Sequence, residues 1–250
     1  MSPRVIDDAT LVAREQTMLD AALEIISEQG VAALTMDKLV ARVPYSKGTV
    51  YNHFSGKEDL LVALCNSSMQ SLLELFQRVL TFNGLSRHKM LAICFAYMLF
   101  AKLYPRKFML VITAKIPAVS EKCSSRRQAE HQELDETLLG VAFEVIREAL
   151  EAGELTLPES RLPEQVAFSV WAMCFGTIAL LSEDIEQCSA RSELLMEQEV
   201  ISHSNIVLDG LGWQPDAAQS DMNEVVNRFK QELFAEEIEK LGYQGRSLKL

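Results

Sequence analysis

Residues 35–61, TMDKLVARVPYSKGTVYNHFSGKEDLL, contain the pattern that decides the fold. Thr35 is a suitable N-cap for a short helix, because its hydroxyl can accept a hydrogen bond from a free backbone N–H of the first turn. Pro44 ends that helix, since proline has no N–H and clashes with the preceding turn. Ser46 is an equally good N-cap for a further short helix at about residues 47–54. The stretch therefore predicts two short helices joined by a tight turn.

Longer helices are predicted on both sides of this pair. Apolar residues recur at three-to-four spacing from about Thr10 to Gln29, and Gly30 provides the positive φ that commonly ends a helix. After the pair, Ser55 and Glu58 match the S-x-x-E capping box of another long helix. A long helix followed by two short helices and a tight turn is a helix-turn-helix unit, whose second short helix enters the DNA major groove.

Composition extends the helical prediction to the whole chain. The 250 residues are 48% hydrophobic and include only 11 Gly and 7 Pro, which excludes a disordered chain, a collagen and a small disulfide scaffold. The predicted fold class is all-α, with an N-terminal three-helix helix-turn-helix domain followed by a larger helical domain. Further helices are predicted at about residues 86–103, 107–113, 121–152, 163–182, 191–208 and 216–241.

Basic residues are concentrated where the predicted helix-turn-helix lies. The chain as a whole has 24 Lys+Arg against 35 Asp+Glu and a net charge of −11, which makes it a poor candidate for non-specific coating of nucleic acid. Residues 37–57, however, contain a single carboxylate, Asp37, and four basic residues, which are Lys38, Arg42, Lys47 and Lys57. Such segregation is what phosphate contact by an otherwise acidic protein requires.

The same residues resemble the DNA-binding signature of the TetR (tetracycline repressor) family. The ordered run S-x-G-T-V-Y-x-H-F-x-x-K-E-x-L-L begins at Ser46 and is preceded by the matching segment at residues 35–41. The resemblance covers about the first quarter of the chain. At residues 43–45 the chain has Val-Pro-Tyr where the family usually has a small residue, Gly and Val, so we expect a slightly different turn geometry.

The resemblance implies a set of DNA-contacting residues. Lys47 has the donors for a guanine edge, whereas Thr49 could touch a thymine methyl. Tyr51 and His53 would reach phosphates, although packing of Tyr51 on the next helix and a structural role for His53 are the alternatives. Lys57 would hold a phosphate at the start of that helix. The implied DNA-binding residues are Thr35, Tyr45, Ser46, Lys47, Gly48, Thr49, Tyr51, His53 and Lys57.

The resemblance also implies two domains with different functions. Residues 1–54 would be the DNA-binding domain, and residues 55–250 a ligand-binding and dimerisation domain with an extra C-terminal helix at about 216–241. The helices at about 163–182 and 191–208 occupy the places of the family's dimer helices, which implies a homodimer. The alternative is that the uncharged stretch at 165–182 is the core helix of a monomer.

A ligand pocket is the second implied site. Aromatic and methionine side chains crowd one part of the sequence and could line an adaptable apolar cavity for an apolar or amphipathic effector. The same stripe could equally be ordinary core. The candidate pocket residues are Phe95, Met98, Tyr104, Phe108, Met109, Phe143 and Trp171.

Catalytic, metal and membrane functions find no support in the sequence. It contains no nucleophile elbow, zinc-protease motif or phosphate loop, and its 4 histidines lack paired ligands, so we expect no enzyme, no cofactor and no metal site. No stretch is predicted to span a membrane. The cysteines are odd in number and without C-x-x-C spacing, which predicts reduced thiols and a cytoplasmic protein. They are Cys65, Cys94, Cys123, Cys174 and Cys188.

These features predict a ligand-responsive transcriptional regulator. It would be a repressor that binds a near-palindromic operator in double-stranded DNA as a homodimer, with effector binding lowering its affinity for DNA. The alternative is a DNA-binding interaction protein on the same scaffold that signals through a protein partner without a small ligand. An all-α enzyme would need a polar constellation in the pocket, and the sequence shows none.

Overall fold

The computed structural model describes residues 7–182 and 189–250, and within these ranges the chain forms helices and no strand. The predicted all-α fold is therefore confirmed. Cys188 lies outside the described residues. The α-helices are α1 Asp8–Gln29, α2 Met36–Arg42, α3 Lys47–His53, α4 Lys57–Val79, α5 Ser86–Leu103, α6 Pro105–Leu110, α7 Pro117–Ser120, α8 Ser125–Glu151, α9 Pro163–Leu180, α10 Met196–Gly210, α11 Met222–Arg228 and α12 Ala235–Tyr243.

Helix ends in the helix-turn-helix follow the predicted capping residues. The Thr35 hydroxyl accepts from the Lys38 backbone N–H at 3.2 Å, and the Ser46 hydroxyl accepts from Thr49 N–H at 3.1 Å. Gly30 ends α1 with φ of 81°. At the start of α4 the backbone N–H of Ser55 donates to Asp59 at 3.0 Å, so the carboxylate that receives it is one residue beyond the predicted Glu58.

The prediction of one continuous helix at about 216–241 is wrong. α11 continues into a π-helical turn, Phe229–Leu233, and α12 starts only after Phe234, whose backbone leaves the helical region at φ −128° and ψ 25°. Phe234 is fully buried, and its ring stacks on that of Phe95 with centroids 5.7 Å apart. Burial of this aromatic ring provides the physical reason for the break, because packing outweighs the weak local preference for a continued helix.

The chain divides into two compact units. Unit 1 comprises the described residues of Met1–Ser68 and Arg106–Glu133, and unit 2 those of Met69–Pro105 and Leu134–Leu250. The sequence-based boundary after residue 54 falls inside unit 1. The reason lies in packing, since the start of α4 and the 106–133 segment share the core of the helix-turn-helix.

The core of unit 1 is a single hydrophobic cluster. Val50 and Phe54 are fully buried in it, and Leu110 of α6 belongs to it as well. The buried members are Met18, Leu19, Ala21, Ala22, Ile25, Ile26, Leu34, Met36, Leu39, Val43, Val50, Phe54, Leu60, Leu61, Ala63, Leu64 and Leu110. α3 is thus anchored along one side, which leaves its other side to face outward.

Unit 2 is built around α5, whose side chains are almost all buried. α9 and α10 pack against it, and so does α12. The fully buried Arg87 guanidinium donates to the Trp213 carbonyl at 2.6 Å and to Asn205 Oδ1 at 2.9 Å, and lies 2.8 Å from the Asp209 carboxylate. In residues 7–182 and 189–250, no helix has both the length and the apolar character that crossing a membrane requires.

Candidate nucleic-acid interface

The N-terminal turn of α3 is exposed, because the anchoring residues of this helix all lie on its other side. Val50 has no exposed surface, whereas Lys47 and Gly48 face solvent and Thr49 is half-buried. Ser46 is exposed too, and its hydroxyl lies 2.9 Å from that of Thr49. A short helix held from behind, with its first turn open, has the shape that major-groove readout requires.

Lys47 is held at this surface by two exposed neighbours. Its Nζ lies 3.1 Å from the Asp37 carboxylate and 5.6 Å from the centroid of the Tyr51 ring. The hydrogen bond to Asp37 raises the pKa of Lys47, so the side chain is a cation at neutral pH. Solvent screens exposed ion pairs of this kind, so they contribute little to stability. The Lys47 ammonium group can therefore leave Asp37 for another acceptor with little loss of free energy.

Gly48 has no intramolecular reason to be glycine. A Cβ built on it would meet only the Ser46 hydroxyl within 4 Å, at the ordinary contact distance of 3.8 Å. The space outside its backbone is therefore open. A residue without a side chain at this position leaves room for a partner to approach the α3 backbone.

The turn between α2 and α3 contains no strained residue. No non-glycine residue of the described chain has positive φ, and Val43 has an extended backbone at φ −105° and ψ 152°. Tyr45 is half-buried against the core, and the Arg14 guanidinium lies 6.0 Å from its ring centroid. Arg14 is a cation at this site that the sequence pattern did not reveal, because it lies in α1, outside the signature.

Thr35 and Lys57 lie at helix starts within unit 1. Thr35 is exposed, whereas Lys57 is half-buried and its Nζ donates to the Ala32 carbonyl at 3.3 Å. Lys57 is the first residue of α4, where the helix dipole is positive and free N–H groups favour an anion.

His53 is turned toward α1 rather than toward the exposed surface. Its side chain is only 8% exposed, and its Nδ1 lies 3.4 Å from Glu15 Oε2. This arrangement corresponds to the structural alternative that the sequence left open for His53. By contrast, Tyr51 is 40% exposed, so its ring is available at the surface of α3.

Part of the local basic charge is neutralised within unit 1. The Arg42 guanidinium lies 2.8 Å from Glu28 and 3.4 Å from Glu24, both on α1. Lys38 Nζ donates to Gln29 at 2.7 Å. Arg42 and Lys38 thus join α2 to α1.

Arg127 packs on Phe54 at the end of α3 and Asp59 binds Ser124, and sequence reasoning missed both. Arg127 is 4% exposed, and its guanidinium carbon lies 5.7 Å from the Phe54 ring centroid. Asp59 is 3% exposed and accepts from Ser124 N–H at 2.9 Å and from the Ser124 hydroxyl at 2.7 Å. Long sequence separation hides such pairs, and no local signal could have revealed them.

The candidate pocket residues fall into both units. In unit 2, Phe95 is fully buried between Phe229 and Phe234, with ring centroids at 5.9 and 5.7 Å. Tyr104 accepts a hydrogen bond from Lys240 at 2.7 Å. Trp171 has ring neighbours on both sides along α9, Phe168 at 6.0 Å and Phe175 at 6.2 Å. The remaining unit 2 candidates are Met98, which is buried, and Phe143, which is half-buried. In unit 1, Phe108 is buried and Met109 half-buried.

Comparison with known proteins identifies relatives of both parts of the chain. Residues 18–64 match the family model of bacterial regulatory proteins of the tetR family. Residues 90–195 match the model of the tetracyclin repressor-like C-terminal domain. Together the two matched ranges cover more than half of the chain.

Curated relatives match over short stretches of the chain. The HTH-type transcriptional regulator SrpR of Pseudomonas putida is 42% identical over 57 residues, which are 23% of this chain and 27% of SrpR. The HTH-type transcriptional repressor AcnR of Corynebacterium diphtheriae is 32% identical over 81 residues, which are 32% of this chain and 40% of AcnR. The matched stretches thus span less than half the length of these relatives.

Solved structures resemble the chain over a longer range. AibR in complex with isovaleryl coenzyme A and operator DNA has a TM-score of 0.57 and 19% identity, and the match covers 77% of this chain and 97% of AibR. FadR from Bacillus subtilis in complex with stearoyl-CoA has a TM-score of 0.54 and 17% identity, with 78% and 96% covered. At these identities the likeness concerns the fold. With both family models matched and the signature folded as a capped, outward-facing helix-turn-helix, the chain belongs to the TetR family of bacterial regulatory proteins.

Proposed function

We propose that the protein is a transcriptional regulator, acting as a repressor, that binds a near-palindromic operator in double-stranded DNA as a homodimer. The observation that carries this proposal is the exposed first turn of α3, where Lys47 and Gly48 face solvent above the buried Val50 and Phe54. Two such helices, one from each protomer, would read half-sites about 34 Å apart, which is one turn of B-DNA.

The proposed DNA contacts follow from donor chemistry. Lys47 would leave Asp37 for the acceptor edge of a guanine, and Thr49 would contact a neighbouring base. Thr35, Tyr51 and Lys57 would bind phosphates and set the register. The other proposed members of this interface are Tyr45, Ser46 and Gly48, whereas His53, which faces Glu15, would support the C-terminal end of α3. Residues 1–54 would be the DNA-binding domain.

Residues 55–250 would bind the effector and form the dimer. Large apolar side chains are exposed on the helices that would pair: Phe168 is 61% exposed and Leu180 56% on α9, and Ile206 is 64% exposed on α10. An exposed apolar strip along two helices is typical of a protein–protein interface. Pairing about a two-fold axis would bury each strip against its copy in a four-helix arrangement.

The proposed effector is an apolar or amphipathic small molecule, and an acyl thioester is the class we would test first. Support comes from two proteins of the same fold whose structures contain isovaleryl coenzyme A and stearoyl-CoA. Among the candidate pocket residues of unit 2, Phe95, Met98 and Phe143 offer an apolar, adaptable lining. Effector binding would weaken operator binding by a coupling free energy of about 1–3 kcal/mol. A regulator of this kind would act in the cytoplasm, where its DNA is.

Selection of bound duplexes from a random DNA pool tests the proposal. We expect an inverted repeat with half-site centres one helical turn apart, and a molecular mass of two chains per bound duplex in light scattering. Isovaleryl-CoA, octanoyl-CoA and stearoyl-CoA are then added to the purified complex, and release of DNA identifies the effector class. Failure to enrich any motif would contradict operator binding. Enrichment that none of these thioesters affects would favour the interaction protein that signals through a protein partner.

A further inference from the structure

A groove between α10 and α11 is the feature of unit 2 that the proposed function does not use. Its volume is about 630 Å³, which lies within the range of about 300–1,000 Å³ typical of small-molecule sites. The lining side chains have an apolar part and a hydrogen-bonding part. They are Gln198, Ile201, Ser202, Asn205, Met222, Asn223, Val226, Asn227, Lys230 and Leu250. None of the candidate effector-pocket residues is among them.

Lys230 places a positive charge at the wall of this groove. Among the residues that the structure describes, Lys230 has neither an ion-pair nor a hydrogen-bond partner, although the chain carries a net charge of −11. It lies in the π-helical turn Phe229–Leu233. Such turns are rare and are frequent at functional sites. An unpaired cation at the wall of a groove is suited to bind an anion.

Asn205 adds a buried donor to the same groove. It is 8% exposed, and its Oδ1 accepts from Arg87 at 2.9 Å, which fixes the orientation of the amide. One Nδ2–H donates to the Ile201 carbonyl at 3.1 Å, while the second faces Met222 Sδ at 3.4 Å. A thioether sulfur is a weak acceptor. The amide therefore has a donor to offer a better acceptor inside the groove.

The apolar side chains of the groove favour a ligand that has an aliphatic part. Ile201, Met222 and Val226 would contact a short aliphatic chain, and a single cation matches a single negative charge. Inorganic phosphate would leave these apolar side chains unused and would have only one cation for its charge. We propose that this groove binds a small aliphatic monocarboxylate, with the carboxylate at Lys230 and the chain along Ile201, Met222 and Val226.

Octanoate is the probe for this site, and the full chain labelled with ¹³C in its methionine methyl groups is the reporter. The Met222 resonance is assigned by its loss in Met222→Leu. We expect octanoate to shift this resonance saturably, and octan-1-ol and octylamine to bind at least tenfold more weakly. Lys230→Gln should weaken octanoate binding about tenfold, the loss of one charge-assisted hydrogen bond. Lys122→Gln, the same charge change at an exposed residue of unit 1, should leave it unchanged.

A second variant tests the groove independently, in case Lys230→Gln does not fold. Ser202 is exposed and lines the groove, so Ser202→Trp should fill the groove without disturbing the core and abolish the Met222 shift. Equal octanoate affinity in wild type and Lys230→Gln, equal binding of octan-1-ol, or shifts confined to other methionines would overturn the proposal. No DNA is used, so the outcome is independent of whether the operator-binding proposal holds.

Discussion

The Arg127 guanidinium lies 2.6 Å from the Glu15 carboxylate, which ion-pairs the start of α8 with α1 inside unit 1. The same Glu15 oxygen lies 3.4 Å from His53, the last residue of α3. The Phe54 ring, which follows, has the Arg127 guanidinium carbon 5.7 Å from its centroid. One ion pair thus holds the C-terminal end of the proposed recognition helix. A change in the 106–133 segment would therefore alter the support of α3 directly.

Arg127→Met should destabilise the protein by about 3 kcal/mol, because removing one partner of a largely buried ion pair leaves the other carboxylate uncompensated. Urea unfolding followed by circular dichroism measures this loss. Arg126→Met is the matched control, since Arg126 forms an exposed pair with Glu130 and should cost under about 0.5 kcal/mol. The double variant Glu15→Gln/Arg127→Met should lose less free energy of unfolding than the sum of the losses in the two single variants. Strict additivity would contradict the coupling.

Lys47→Ala should weaken binding to the selected operator by about 1–3 kcal/mol and relax specificity at one base pair, because Lys47 is assigned to a base edge. Lys57→Ala should weaken binding to DNA of every sequence equally, because Lys57 is assigned to a phosphate. It should also lower the slope of log affinity against log salt concentration by about one. Titrations against operator and scrambled duplexes at several salt concentrations separate the two. Unchanged operator affinity in Lys47→Ala would refute the assignment of α3.

Asp37→Asn should strengthen DNA binding severalfold, operator and scrambled duplex alike. Asp37 is exposed and holds Lys47 at 3.1 Å, so DNA must compete with its carboxylate for the ammonium group and also meets its negative charge. The measurement is the same titration at low salt. Glu159→Gln, an exposed carboxylate of unit 2, should have no effect. Weaker binding in Asp37→Asn would mean that the Lys47–Asp37 pair preorganises the lysine instead.

Asp59→Asn should lower stability by about 1–3 kcal/mol at neutral pH, because it takes one acceptor away from the hydrogen bonds that Ser55 and Ser124 make to this buried side chain. Burial alone would raise the pKa of Asp59, but hydrogen bonds from Ser124 and Ser55 hold that pKa below its usual value. The stabilisation is therefore present above the unfolded-state pKa of about 3.9 and disappears as pH falls through the lower folded-state value. Urea unfolding from pH 7 to pH 3 should show wild type and variant converging.

Asp8→Asn is the control for this pH dependence, because Asp8 is exposed in the first turn of α1. Its stability should run parallel to that of the wild type across the same pH range, apart from a small helix-dipole contribution of about 0.3–1 kcal/mol. A constant gap between wild type and Asp59→Asn down to pH 3 would show that the Asp59 carboxylate does not carry the acid sensitivity.

Phe168→Asp should dissociate the proposed dimer. Phe168 is 61% exposed in the single chain, so the change should leave the fold intact while placing an unpaired carboxylate in each half of a two-fold interface. We expect the dimer to weaken by about 3 kcal/mol or more, with a parallel loss of operator affinity. Sedimentation equilibrium measures the first effect. Tyr243→Asp, at a residue 82% exposed on α12, should leave the dimer unchanged.

Local signals in the sequence were sufficient to predict much of unit 1. The hydroxyls of Thr35 and Ser46 cap their helices as expected, and Val50 and Phe54 are buried because they lie four residues apart on one side of α3. Such features depend on contacts between near neighbours, which the sequence displays directly. The family resemblance rests on the same residues, and both family models confirm it.

Other features depend on contacts between distant residues. The sequence alone determined the helical class, the capped helix-turn-helix and its exposed Lys47, because helix periodicity and capping are local. Only the tertiary structure decided that His53 faces Glu15, that Arg127 supports α3 and that Phe234 breaks the last helix against Phe95. In each of these cases a side chain is placed by partners more than 35 residues away, and packing of that kind outweighs local preference.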